Sequence, residues 1–327
     1  RKNTGLVFQY HLERDDAPRH QILEGEDGVA VFVERAAGNA RDAGGVVDRA
    51  GSAVFEQDTK SMLGEGNSVL WKSGDAIAIF DGDGAQGWAE GYTLGARYIT
   101  ASEGAKGYFN PAGGEGDREA TPGKAVYYAL TPWVKDAGCQ MEEGIVTNWI
   151  SNRQKGNAGD FPVARKDGRN MNFAIAKTID PENIPFTFYN MVSLLKVIVP
   201  SELDGQIHRI GVHACGEYLG GDVAMCLGNG EPWVQLRKEL PDGKGSAYTD
   251  IYLLPDNAEN SITPNESTFA TGTYYIAVKP GMLNNGFTVK YQSDITGTIA
   301  CQKTFAPVEL KRSKIYNLGS IYVPGTH

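Results

Sequence analysis

Residues 77–88 read IAIFDGDGAQGW, an apolar run leading into the spacing G-x-G-x-x-G at Gly82, Gly84 and Gly87. In a strand–loop–helix unit that spacing holds a pyrophosphate, because bare glycines let the backbone close on the anion and the next helix points its N-terminus at it. The chemistry therefore needs a helix opening at the third glycine. The continuation here is WAEGYTLGARYITA, with Gly91 and Gly95 set among β-favouring residues. The pattern predicts a turn between strands and no nucleotide cofactor. Asp81 and Asp83 begin like a calcium loop, but Ala85 stands at the third ligand position and Tyr92 where a closing carboxylate belongs. A solvated turn is the expectation.

The remaining reactive residues are scattered. His208, His213, Cys215 and Cys226 are of zinc-binding type, yet on a strand His213 and Cys215 share one face and His208 takes the other, which breaks the set. Cys215 and Cys226 lie symmetrically about Gly220-Gly221 in HACGEYLGGDVAMC. A two-residue hairpin turn there would put them opposite each other, giving either a disulfide or two buried thiols. No G-x-S-x-G or H-E-x-x-H occurs, and PDGKGS at 241–246 lacks the leading glycine of a phosphate loop. Glu142 and Glu143 are neighbours, so a strand sends them to opposite faces and they cannot form a glycosidase pair by themselves. Of the five tryptophans, Trp71 reads as core and Trp88, in the glycine-rich loop, as an exposed ring able to stack on a sugar. No acid–base set assembles along the chain; the residues predict a binding or structural protein without cofactor or metal, and not an enzyme.

Such residues would have to be positioned by strands. The 327 residues contain 41 glycines and 15 tyrosines, a composition of short strands and tight turns. A formal charge of −9 with no basic stripe argues against nucleic acid, and no apolar run is long enough to span a membrane as a helix. LVFQYHL sets Leu6, Phe8, Tyr10 and Leu12 on one face of a half-buried strand. Residues 35–51, RAAGNARDAGGVVDRAG, read as a mobile loop carrying Arg35, Arg41 and Arg49. From Ser52 onward short strands follow one another, ending at Gly, Pro, Asp or Asn. Only NMVSLL, residues 190–195, has a period that also fits a helical turn. IDPENIP, Ile179 to Pro185, reads as a linker between a first β-sandwich over residues 1–180 and a second over 184–327.

Several stretches in order resemble fimbrillin-like proteins, surface and fimbrial lipoproteins of anaerobic Gram-negative bacteria. TKSMLGEGNSVLWKSGDAIAIF is similar to the family's W-x-x-GD-x-I-x-x-F segment and AVYYALTPW to its mid-domain strand. FTFYNMVSLLKVIVP with IHRIGVHACGEYLGGDVAM resembles the opening of its second domain, and TYYIAVKPGMLNNGFTVKY and LKRSKIYNLGSI its closing strands. The likeness covers residues 51–323, whereas residues 1–50 have no counterpart and Lys60 stands where relatives often carry an arginine. It implies two transthyretin-like (Greek-key) β-sandwiches in tandem, secretion with a leader or lipid-bearing cysteine ahead of Arg1, attachment at the outer membrane or in fimbriae, and adhesion to a host or bacterial surface ligand, either as a fimbrial subunit or as a stand-alone, monomeric adhesin whose N-terminal strand stays in place. For the subunit reading it implies assembly with other fimbrial subunits: cleavage at Arg35, Arg41 or Arg49 would free the strand of Leu6, Phe8, Tyr10 and Leu12, and another chain's strand would take its place. The alternatives from the residues alone are a surface glycan-binding module using Trp88, and a secreted hydrolase whose carboxylates converge only in space.

Overall fold

The computed structural model describes residues 71–322, except 89, 102, 105–106, 115–116, 181–185, 229–231, 241–242, 257–266 and 295–296, together with the backbone of short strands at 6–10, 54–57, 62–63 and 69–70. The fold is all β. Among the described residues the only helical turns are Ser201–Leu203 and Arg237–Glu239, and no helix is long and apolar enough to cross a membrane.

Seven strands close a barrel in the order Leu6–Tyr10, Phe186–Asn190, Ala174–Thr178, Tyr127–Thr131, Ala76–Phe80, Ala96–Thr100 and Gly107–Pro111, the last returning to the first. Its interior is filled by Trp71, Ile77, Ile79, Tyr98, Phe109, Tyr127, Phe186 and Phe188 with small alanines between them. The runs AIAIF and YYALT are apolar at nearly every position because both faces are covered. Ile77 and Ile79 point into the barrel, while Ala78 and Phe80 join the main core outside it.

The main core is bounded by three more sheets. A four-stranded sheet runs Val54–Gln57, Lys314–Gly319, Ser193–Val199, Gly272–Val278. It faces a six-stranded sheet of Val163–Ala164, Arg153–Gly156, Asp250–Pro255, Arg209–Ala214, Phe287–Gln292 and Ile299–Phe305. Alternate residues from both, such as Leu195, Val197 and Ile276 against Ile210, Val212 and Val289, share one cluster, the interdigitation expected of a sandwich. Two polar ties cross it. Tyr291 donates its hydroxyl to the Ile198 carbonyl at 2.8 Å, and the fully buried Gln154 amide exchanges two hydrogen bonds with the Ala277 backbone. The third sheet joins Trp233–Leu236, Gly220–Cys226, Ile145–Ile150, Gly138–Gln140 and Tyr92–Leu94, with the short strand Ala247–Tyr248 paired to Gly220-Gly221.

Three sequence expectations change here. Ile179–Pro185 does not separate two sheets: the strands flanking it, Ala174–Thr178 and Phe186–Asn190, are hydrogen-bonded neighbours in the barrel. The barrel therefore extends to Asn190, ten residues past the expected boundary. The two parts of the chain also share a sheet, because Ile145–Ile150 pairs along its whole length with Gly220–Cys226. NMVSLL holds no helical turn; Met191 and Val192 link two strands and are buried, so burial on both sides overrides the ambiguous period.

The expected hairpin at Gly220-Gly221 is also absent. Arg209–Ala214 and Gly220–Cys226 lie in different sheets, and Cys215 and Cys226 are free, the first exposed and the second buried. The two glycines serve close approach instead of a turn. A Cβ at Gly220 would sit 2.9 Å from the Ile150 carbonyl oxygen, and one at Gly221 2.1 Å from that of Ser246. Sequence symmetry suggested a turn where three strands meet. A thiol reagent at pH 8 is accordingly expected to label Cys215 at once, and Cys139 and Cys226 only after denaturation, as burial pushes the Cys139 thiol far up. Mass spectrometry of the labelled native protein checks this; a Cys215–Cys226 disulfide peptide would refute it.

Candidate functional site: the barrel and its N-terminal strand

The Leu6–Tyr10 backbone lies between Gly107–Pro111, antiparallel, and Phe186–Asn190, parallel. Its register sets Leu6 against Phe109, Phe8 against Phe186 and Tyr10 against Phe188. These three phenylalanines are all but fully buried. They meet around Trp71, 1% exposed, whose ring stands edge-on to Phe109 and Phe188 with centroids 4.8 and 5.9 Å apart. Trp71 is core, as its sequence context suggested. Both barrel neighbours of the N-terminal strand are distant in sequence, and without it their ladders would be unpaired edges beside an aromatic interior. Leu12, Arg35, Arg41, Arg49 and Lys60 lie outside the described residues.

Beside the barrel the glycine-rich stretch is a loop between Ala76–Phe80 and Tyr92–Leu94, both strands. The Gly87 amide donates to the Tyr92 carbonyl at 2.7 Å and the Leu94 amide to that of Ala85 at 2.9 Å. A Cβ at Gly84 would lie 1.9 Å from the Leu94 carbonyl oxygen. The glycines are thus used to fold the loop flat against the next strand.

Asp81 departs from the solvated turn expected of it. Its carboxylate is wholly buried and accepts four hydrogen bonds: two from Arg118 at 2.6 and 2.7 Å, one from the Thr121 amide at 2.6 Å and one from the Asp83 amide at 3.0 Å. Burial pushes its pKa up, but the Arg118 guanidinium and the backbone donors outweigh this and hold it below the usual carboxylate value. Asp83 pairs with Lys124 at 2.7 Å in the open. The two loops are clasped further by Tyr127, which donates to the Thr121 carbonyl at 2.8 Å, and by Tyr98, whose hydroxyl accepts from the Ala120 amide at 2.9 Å. Arg118 is 37 residues from Asp81, and no local signal announced the pair.

Trp88 is 44% exposed, as its loop context suggested, but its ring is engaged. The Arg237 guanidinium lies 3.6 Å from the ring centroid, Tyr92 packs at 5.0 Å, and Nε1 points to the Thr147 hydroxyl at 3.4 Å. His208, His213, Cys215 and Cys226 do not converge; among the described residues no group of three His, Cys, Asp or Glu is placed to hold a metal.

No family model matches the chain, and no curated protein does. Solved structures are similar to it over most of their length. Three, from Bacteroides ovatus, Bacteroides uniformis and Bacteroides thetaiotaomicron, are each described as a "putative cell adhesion protein". The first is 13% identical, covering 84% of this chain and 94% of its own with a TM-score of 0.44. The second is 14% identical, covering 82% and 91% with a TM-score of 0.43. The third is 10% identical, covering 76% and 80% with a TM-score of 0.32.

Proposed function

We propose that this protein is a cell-surface adhesion subunit, structural and not enzymatic, that is built to exchange its N-terminal strand with another copy or with a related subunit. One observation carries the reading: five residues near the chain start close a barrel whose other six strands all lie beyond residue 75. A strand joined to the next barrel strand only through the long stretch 11–75 that follows it can leave without breaking the remaining order of strands. What it leaves behind is a pair of unpaired ladders over an apolar interior, which a second extended segment of alternating apolar residues can fill. Three arginines in the small-residue stretch 35–49 offer the cuts that would release it. The resemblance to fimbrillin-like proteins supports the same use and a place at the outer membrane or in fimbriae.

The test is to cut the full chain with an Arg-specific protease and follow its mass by light scattering. Departure of the N-terminal peptide followed by a ladder of oligomers is the expected result. A cleaved protein that releases the peptide and stays monomeric at high concentration overturns the reading.

A further inference from the structure

The six-stranded sheet of the sandwich turns its outward face away from the core, and that face carries a charge opposite to the protein's. Arg153, Lys155, Arg209 and Lys290 all alternate with residues that point inward. Ile210 and Val289 are buried while Arg209 and Lys290 are half-buried, and Arg153 is exposed. Register places Arg153, Tyr252, Gly211 and Lys290 in one row across four strands. At the usual strand spacing Arg153 and Lys290 are roughly 14 Å apart, with Arg209 two residues along the strand between them. The one acid among the strand residues of this face is Asp250, which is already matched with His213 Nδ1 at 2.9 Å and the Thr249 hydroxyl at 2.9 Å. No ion pair within the described residues neutralises Arg153, Arg209 or Lys290, in a chain whose formal charge is −9.

Arg209 is held as a fixed fork. Its Nε donates to Gln292 Oε1, and its guanidinium stacks on the Tyr252 ring at 4.8 Å. The ring can lean there because Gly211 has no side chain: a Cβ would be 3.3 Å from it. A guanidinium fixed through Nε and one face presents its terminal nitrogens as a bidentate donor to a carboxylate or sulfate. Around it the row continues with hydroxyls and amides, Thr288 with Thr304 at 3.0 Å and Gln302. Among the described residues of this face the only exposed large hydrophobic is Ile299, on the edge strand opposite Gln292, short of the cluster of aromatic and aliphatic anchors that makes a protein interface core.

We infer that this sheet face binds an anionic polysaccharide, laid across the strands with its carboxylate or sulfate groups on Arg209, Lys290 and Arg153. The site is separate from the barrel, so it holds or fails independently of strand exchange. The test uses the full chain over immobilised polygalacturonate and chondroitin sulfate, with neutral dextran as control, at low and high salt. Saturable binding to one or both anionic glycans, weakening with salt and absent on dextran, is expected. The double variant Arg209→Gln/Lys290→Gln should lose about tenfold or more in affinity with an unchanged melting temperature. Removing two exposed lysines elsewhere, Lys72→Gln/Lys135→Gln, should leave it intact. Arg209→Lys, which keeps the charge but not the fork, should lose part of it. The inference is overturned by no binding, by equal loss in both double variants, or by a DNA duplex that competes as well as the glycans, which would mean attraction to any polyanion.

Discussion

A chain beginning at Gly51 is expected to fold with its barrel open and to lose on the order of 5 kcal/mol of stability. The missing strand is in register with three residues of Gly107–Pro111 and three of Phe186–Asn190. Each ladder hydrogen bond contributes about 1 kcal/mol net, and about half a dozen are lost. Phe109, Phe186, Phe188 and Trp71, now buried, would gain access to water along the gap, so a dye that reports apolar surface should bind strongly. A synthetic peptide of residues 3–13 added in trans should suppress the dye signal and raise the melting temperature. The same peptide with Leu6, Phe8 and Tyr10 changed to Asp should do neither. Scanning calorimetry with and without peptide decides the matter: equal melting temperatures for the truncated and full chains would show that the strand closes nothing.

The second large effect is expected at Asp81. Asp81→Ala removes the acceptor of four hydrogen bonds, leaving the Arg118 guanidinium and the Thr121 and Asp83 amides without their partner. Breaking a buried pair from one side costs about 3–5 kcal/mol, which in a domain of this size lowers the melting temperature by on the order of 10 °C. Because the folded-state pKa is held below the unfolded one, the carboxylate's contribution is fully present above its unfolded value near 3.9 and is lost as pH falls through the folded value. Wild type should therefore lose more stability between pH 5 and pH 2 than Asp81→Asn does. Parallel pH profiles for the two proteins, or a variant within 0.5 kcal/mol of wild type at pH 7, would show that the clasp is not needed.

Local pattern in the chain determined the type of nearly every element. GFTVKY alternates along its length, and the structure buries Phe287, Val289 and Tyr291 while Thr288 and Lys290 stay half-exposed. The G-x-G-x-x-G stretch lacked a following helix, and its glycines indeed lie in a loop between strands. Both readings rest on periods of a few residues and on turn chemistry, which a linear sequence carries in full. Partner choice was decided only in three dimensions. Phe186–Asn190 was read as the opening of a second unit and pairs instead with the strand before it. Gly220-Gly221 offered a symmetric turn, yet backbone from two other strands occupies the space a side chain would need. Asp81 found Arg118 across 37 residues, and four cations reached one sheet face from strands spread over residues 153–290. A strand's hydrophobic face says that it must be covered and not by which neighbour, so pairing, and every site made by pairing, waits on the tertiary structure.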